Sequence, residues 1–294
     1  MPLRIEPRIE LLRPLNSAMG AVAVVVGGVV ASGPDVLSSS RARGVVLAAL
    51  VAFLYIGAGN ALNDYHDRFT DRVNHPERPI PGKRIEPESA LRFSVGLFAT
   101  GMALALFIGW PGMNWLTLGI VALNSFLIVA YEMWLKVRGF VGNLSVSWLT
   151  ASLFLFGGVA ALPESGPTVF PVPALVLALL AFLSSVGREI IKGIEDIRGD
   201  QDRRTVPRVV GVRTAGRIAG FWIGMAVVLS LLPVFPLRVF ETRYYFPIVL
   251  LADAMFVYSI WVVSRNPGRA SRVAKLSMLL ALAAFLLGAV TVRR

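Results

Sequence analysis

Two acidic clusters in this sequence combine residue types and spacing suited to binding a metal and a phosphate. The first, NDYHDRFTD, starts at Asn63 and places Asp67 and Asp71 at successive four-residue steps. The second, EDIRGD, places Asp196 and Asp200 at the same spacing. Residues four apart share one face of a helix, so each cluster predicts a stripe of oxygen ligands if its helix continues through it. Hard cations such as Mg²⁺ take one or two such carboxylates together with waters and substrate phosphates.

The two clusters are related by a constant offset. Their aspartates are 129 residues apart, and Lys192 stands where the first cluster has Asn63. Such an offset predicts an internal duplication that places both clusters at equivalent depth. Facing each other, the stripes would hold a metal-bridged diphosphate, with the substrate completing the coordination. The candidate metal ligands are Asn63, Asp67, Asp71, Asp196 and Asp200.

Basic residues follow both clusters, and they predict contacts with phosphate. An arginine fork matches phosphate oxygens bidentately, while lysine acts as a point charge. The candidates are Arg68, Arg78, Lys83, Lys192 and Arg204. The alternative is that these acids and bases pair with one another on solvated loops. The duplicated spacing favours the metal interpretation for the aspartates, but it does not decide the role of any single arginine.

The elements that position these clusters are predicted to be membrane helices. The 294 residues are 55% hydrophobic and only 16% charged, against about a quarter charged in a soluble protein. Apolar stretches long enough to cross a hydrocarbon core of about 30 Å recur along the chain. We predict an all-α polytopic membrane bundle in one integral-membrane domain, residues 1–294. The nine predicted spans are roughly 15–33, 43–63, 89–110, 114–134, 142–162, 172–194, 214–235, 245–264 and 272–291.

Charge placement predicts the orientation of this bundle. Of the 29 Lys and Arg residues, the face opposite the long charged loops carries only Arg41, Arg43, Arg238, Arg243, Arg293 and Arg294. The positive-inside rule therefore places the N-terminus and both acidic clusters in the cytoplasm. Four spans separate the clusters, which favours two parallel four-helix halves plus a ninth helix.

The net charge of +11 follows from this topology, so no nucleic-acid partner is predicted. The absence of cysteine excludes thiolate chemistry and sulfur-ligated metals.

Taken together, the motifs resemble the UbiA superfamily of intramembrane prenyltransferases. The residues that carry the resemblance are Asn63, Asp64, Asp67 and Asp71 in the first signature, Asp196 and Asp200 in the second, Arg13 and Asn16 in RPLN, and Tyr131 with Lys136. The resemblance implies a bundle around a central cavity capped by cytoplasmic loops. It also implies Mg²⁺-dependent transfer of a prenyl group from a polyprenyl diphosphate to a lipophilic acceptor within the membrane. It assigns metal binding or catalysis to the aspartates, and substrate binding to Arg13, Asn16, Asp64 and Lys136.

Within that superfamily, REIIKGIEDIRGD and the later RTVP resemble the archaeal digeranylgeranylglyceryl phosphate synthases. This implies that geranylgeranyl diphosphate is the donor and that the free hydroxyl of geranylgeranylglyceryl phosphate is alkylated to an ether. Two alternatives stay open on the sequence. One is prenylation of an aromatic ring such as 4-hydroxybenzoate, and the other is a cation-coupled secondary transporter. No sequence feature predicts the oligomeric state.

Three residues have two possible roles each, and for a fourth, His66, one is expected. The Tyr131 ring would either face the allylic cation or anchor the chain at the membrane interface. Asn143 would either contact substrate or tie helices together. Asp253 lies in the middle of a span, where an ionisable group is a functional candidate, but no motif surrounds it and we expect a buried structural hydrogen bond. His66 lies off the Asp67 stripe, and we expect it to face solvent.

Overall fold

Nine long helices dominate the fold in the part of the chain that the structure describes. This computed structural model describes residues 6–163, 169–198, 204–235 and 237–291. The α-helices in these ranges are α1 Pro7–Leu12, α2 Pro14–Ser32, α3 Ala42–His66, α4 Asp71–Asn74, α5 Pro87–Ala105, α6 Trp115–Ala130, α7 Phe140–Ala160, α8 Val172–Glu195, α9 Val206–Val210, α10 Val212–Leu229, α11 Thr242–Val262 and α12 Pro267–Val290. No strand occurs in these ranges. The all-α prediction is confirmed.

Eight of the long helices are apolar and long enough to cross a membrane. The ninth, α5, occupies the position of the third predicted span but falls outside that set, because its first turns carry Glu88 and Arg92. The protein is therefore a multi-pass membrane protein with the predicted series of long helices.

Helix boundaries follow local chemistry. Several long helices begin with proline in the first turn, where its missing N–H costs nothing, as α2, α5 and α12 do.

The helix contacts repeat between the two halves of the chain. In the first half, α2 packs on α3, α3 on α5 and α5 on α6. In the second half, α7 packs on α8, α8 on α10 and α10 on α11. The halves join through α2 against α7, and α12 packs against α11, α8 and α2. This pattern supports the predicted division into two four-helix halves and a ninth helix.

Glycines allow the two halves to approach closely. A Cβ atom added to Gly157 of α7 would lie 1.8 Å from the carbonyl oxygen of Val24 in α2. One added to Gly27 of α2 would lie 2.2 Å from the carbonyl oxygen of Phe154. The backbones of α2 and α7 are therefore in direct contact, as small residues permit in membrane helix pairs. This contact fixes the distance between the halves and hence between the loops at their ends.

Candidate active site

Four connections gather at one end of the bundle. The loop after α3 meets the α6–α7 connection, where Lys136 contacts Asp67. The segment after α8 meets the same connection, because the Arg204 N–H donates to the Val137 carbonyl at 3.3 Å. Glu195, at the end of α8, lies beside Gly268 at the start of α12. The ends of α3 and α8, which carry the two acidic clusters, therefore lie on the same face of the bundle, as the duplication predicts.

The first cluster straddles the end of a helix. α3 ends at His66, Asp67 caps it and Asp71 begins α4. The backbone keeps the helical repeat, since Asp67 N–H donates to the Asn63 carbonyl and Asp71 N–H to the Asp67 carbonyl, both at 2.8 Å. The side chains do not form the continuous stripe that the spacing predicted. Asn63 and Asp67 touch, whereas Asp71 contacts Arg78. The stripe was expected only if the helix continued through the motif, and the regular helix stops within it.

Asp67 belongs to a cluster of four polar side chains. Lys136 Nζ lies 2.6 Å from Asp67 Oδ2 and 3.1 Å from Glu132 Oε2. The Asn63 amide donates to Glu132 Oε1 at 2.9 Å and to Asp67 Oδ2 at 3.2 Å. The Glu132 side chain is 5% exposed and that of Asp67 is 20% exposed. We call Asn63, Asp67, Glu132 and Lys136 the Asp67 cluster. It lies at the C-terminal end of α3, and the Asp67 side chain is partly exposed there.

A π-helical turn directly after α6 brings Glu132 and Lys136 to this cluster. α6 passes directly into the turn Tyr131–Leu135, and Lys136 N–H donates to the Tyr131 carbonyl at 3.0 Å, an i to i−5 hydrogen bond. Such turns are rare and are frequent at functional sites. The Tyr131 ring centre lies 6.0 Å from Lys136 Nζ, which brings the tyrosine next to the Asp67 cluster. Its two possible roles stay predictions.

A second set of charges ties the first loop to the helices. Asp64 Oδ1 accepts from Arg13 at 2.5 Å and from Arg78 at 3.4 Å. Arg78 also donates to Asp71 Oδ2 at 2.6 Å. The side chains of Asp64 and Asp71 are only 4% and 6% exposed. The acid–base pairing considered as an alternative therefore occurs at all three acids. Arg13 and Arg78 are counter-ions of Asp64, Arg78 is also that of Asp71, and Lys136 is that of Asp67.

The rest of the first loop is held by contacts that the motifs did not indicate. Arg84 binds both carboxylate oxygens of Glu10, at 2.6 and 2.8 Å, and these hydrogen bonds raise the pKa of the guanidinium. Arg68 donates to the Tyr65 carbonyl and lies over the Tyr65 and Phe69 rings. A phosphate contact of Arg68, as predicted, would have to compete with these contacts to the Tyr65 carbonyl and the two rings. Lys83 is exposed, in the left-handed backbone region.

The remaining predicted site residues lie on helix ends around the same face. Asn16 is exposed in the first turn of α2, and Asn143 is half-buried in the first turn of α7. Lys192 and Arg204 are exposed, and Asp196 is an exposed residue that caps α8 through its N–H to the Lys192 carbonyl. Asp200 lies outside the described residues.

The donor set suits a hard cation that shares its ligands with a phosphate. Within the described ranges, no group of three His or acidic side chains lies close enough to hold a metal alone. Mg²⁺ needs no such group, because it keeps waters and takes phosphate oxygens beside one or two carboxylates. The Asp67 carboxylate offers oxygen ligands of this kind, and it has the Asn63 amide and the Lys136 ammonium beside it. The described part of the site fits Mg²⁺ whose remaining coordination positions are filled by waters and a diphosphate.

Residues 21–289 match the UbiA prenyltransferase family. The chain belongs to this family. Among its curated relatives, the digeranylgeranylglyceryl phosphate synthase of Methanopyrus kandleri is 40% identical over 287 residues, which is 95% of this chain and 97% of the relative. The protein of the same name from Methanosarcina mazei is 37% identical over 98% of this chain and 100% of the relative.

Solved structures of UbiA proteins share the fold. One, from work on digeranylgeranylglyceryl phosphate synthase in membranes, has a TM-score of 0.74 at 30% identity and covers 97% of this chain and 98% of its own. A UbiA homolog from Archaeoglobus fulgidus bound to GPP and Mg²⁺ has a TM-score of 0.67, covering 97% of this chain and 99% of its own. At 16% identity this second likeness concerns the fold.

Two predictions about residues that are not candidate ligands are confirmed. Asp253 Oδ2 accepts from Ser230 Oγ at 2.7 Å, and Tyr245 donates to the Ser230 carbonyl at 2.8 Å, so Asp253 makes the expected buried hydrogen bond. His66 is exposed.

A cavity of about 360 Å³ lies at the opposite end of the bundle, in the α10–α11 connection between Val234 and Arg243. The central cavity beneath the loops stays a prediction.

Proposed function

We propose that this protein transfers a geranylgeranyl group from geranylgeranyl diphosphate to the free hydroxyl of geranylgeranylglyceryl phosphate. The allylic C–O bond of the donor breaks, a new ether C–O bond forms, the hydroxyl loses its proton and diphosphate leaves. The observation that carries the proposal is the full-length likeness to synthases of one name, at 40% identity for the Methanopyrus kandleri protein. The Asp67 cluster at the end of an apolar bundle supports it.

The residues of the site have separate tasks in this reaction. Asp67 and Asp196 bind the cation that accompanies the diphosphate, together with Asp200. Exposed bases on the same face, among them Lys83, contact the phosphate oxygens. Charge stabilisation of a leaving diphosphate lowers the barrier to heterolysis of the allylic bond. The apolar helices accommodate the isoprenoid tail and exclude water, which would otherwise quench the allylic cation.

Mg²⁺ is the proposed cofactor. When bound, it neutralises the charge that develops on the departing diphosphate. The residues that would hold it are Asn63, Asp67 and Asp71 from the first cluster and Asp196 and Asp200 from the second. Removal of divalent cations with EDTA should abolish turnover, and added Mg²⁺ should restore it. Full turnover in EDTA would contradict this assignment.

The proposed orientation places the N-terminus and the site loops in the cytoplasm, with donor and acceptor entering from the membrane. It rests on the uneven distribution of Lys and Arg. We also propose that residues 1–294 form one domain, which agrees with a family match over residues 21–289.

The test is an assay of purified protein with Mg²⁺ and labelled geranylgeranyl diphosphate. Geranylgeranylglyceryl phosphate and 4-hydroxybenzoate are offered in separate reactions, and the lipid products are separated by chromatography. We expect a labelled digeranylgeranyl ether with the first acceptor and none with the second. Product with 4-hydroxybenzoate alone would refute the proposed acceptor.

The transporter alternative receives no support from the site. Intramembrane cation sites of secondary transporters lie near the midplane at broken helices. Here Asp67 caps the end of α3, and Asp196 caps the end of α8. Acids at helix ends suit a site that meets a phosphate at the membrane surface.

A further inference from the structure

Glu132 is the one acid of the Asp67 cluster that lies outside both acidic motifs. It follows Tyr131 at the end of α6 and lies in the π-helical turn. Its side chain is 5% exposed and touches Asn63 and Lys136. A carboxylate this deeply buried costs free energy unless it is paired, so its position needs a reason.

The first contact of Glu132 fixes the orientation of the Asn63 amide. An asparagine side chain offers two N–H donors on one side and a carbonyl oxygen on the other. Both donors point to carboxylates here, one to Glu132 Oε1 at 2.9 Å and one to Asp67 Oδ2 at 3.2 Å. Rotating the amide by half a turn would place its oxygen against two carboxylates. Glu132 thus keeps the Asn63 carbonyl oxygen turned away from these anions, where it can serve as a ligand.

The second contact of Glu132 changes the charge at Asp67. Lys136 lies 2.6 Å from Asp67 and by itself would neutralise that carboxylate. Glu132 shares the same ammonium at 3.1 Å. Two carboxylates and one ammonium leave the Asp67 cluster with a formal charge of −1. Within these four residues, Glu132 therefore adds one negative charge to the Asp67–Lys136 pair.

We infer that Glu132 is a positioning residue for the cation site: it orients the Asn63 amide and offsets the positive charge of Lys136, which favours a divalent metal at Asp67. This inference rests on the proposed function, because that function gives the metal its role. It assigns no contact between Glu132 and substrate. Partners that orient metal ligands typically change metal affinity by 10- to 100-fold when they are removed.

Binding of Mn²⁺ alone, followed by electron paramagnetic resonance of the detergent-solubilised protein, tests the inference without the reaction. Glu132→Gln makes the cluster neutral, so we expect about tenfold weaker Mn²⁺ binding. The double variant Glu132→Gln/Lys136→Gln returns the formal charge to −1, and its affinity should recover to within about threefold of the unmodified protein. Glu88→Gln, an exposed acid at the start of α5, is the matched control and should bind Mn²⁺ as the unmodified protein does.

Unchanged Mn²⁺ affinity in Glu132→Gln would overturn the inference, and so would a double variant that binds as weakly as the single one. If Glu132→Gln does not fold, Lys136→Gln alone decides, because it makes the formal charge of the cluster more negative, from −1 to −2. We then expect affinity about tenfold higher, and no increase would refute the charge argument. None of these outcomes depends on which acceptor is prenylated, so failure of the proposed reaction would be seen separately.

Discussion

Asp67 is the residue on which metal binding depends most directly. It combines partial exposure with contacts to Lys136 and Asn63. Asp67→Asn keeps the shape but removes the charge, and we expect turnover to fall by about 10²- to 10³-fold with little change in thermal unfolding. Product formation with labelled donor measures the loss, and Glu88→Gln is the control. Turnover within a few-fold of the unmodified protein would remove Asp67 from the metal site.

Arg78 presents a different case, because its partners are more buried than it is. It bridges Asp64 and Asp71, whose side chains are 4% and 6% exposed, while its own is 26% exposed. Arg78→Ala removes the ion-pair partner of Asp71 and leaves Asp64 with Arg13, so we expect the free energy of unfolding to fall by about 2 kcal/mol. The exposed Arg72 provides the control, since Arg72→Ala should change it by less than about 0.5 kcal/mol.

Chemical unfolding in detergent measures both arginine variants. A large loss of turnover in Arg78→Ala without loss of stability would mean that its guanidinium acts on substrate phosphate rather than as a structural counter-ion.

At the scale of elements, the α2–α7 contact sets the spacing between the halves. Gly157→Ala would place a methyl group 1.8 Å from the Val24 carbonyl oxygen, so the helices must separate. We expect a loss of about 1–3 kcal/mol and reduced turnover, because the loops at the helix ends shift with them. Gly119→Ala in α6, where no heavy atom lies within 4 Å of the added carbon, should cost nothing measurable. Equal unfolding midpoints in the two variants would show that the contact is not tight.

The π-helical turn is a second element-scale feature that matters for the site. It lets one short segment present Tyr131, Glu132 and Lys136 to the end of α3. Periodicity could not predict this turn, since the residues before it read as ordinary membrane helix. The sequence did contain a signal for the pairing of Glu132 with Lys136. Glu132 stands four residues before Lys136 at the end of a span, a spacing that places the two side chains in contact.

For the whole molecule, the absence of cysteine makes orientation directly testable. Ser38, between α2 and α3, and Ser264, after α11, are both exposed and are predicted to lie on opposite sides of the membrane. With single substitutions Ser38→Cys and Ser264→Cys in intact cells, a membrane-impermeant thiol reagent should label only the first. In inverted vesicles it should label only the second. The reverse pattern would invert the proposed topology.

The sequence alone determined the membrane class, the series of long helices, the duplication of the acidic clusters and the family. These follow from local quantities: apolar length, charge asymmetry and the four-residue spacing of Asp67 and Asp71. The motif residues Asn63 and Lys136 were recognised as well, although the boundary of α3 within the motif was not. Helix ends depend on the competition between backbone and side-chain hydrogen bonds, which spacing does not reveal.

Only the tertiary structure decided which charges pair. It placed Glu132 from the fourth long helix against Asn63 from the second, and it joined Glu10 to Arg84 and Arg13 to Asp64. These partners are far apart in the chain, so no local pattern links them. The burial of a charge makes its pairing obligatory, but helix packing selects the partner. In this bundle, the π-helical turn after α6 brings Glu132 within reach of Asn63.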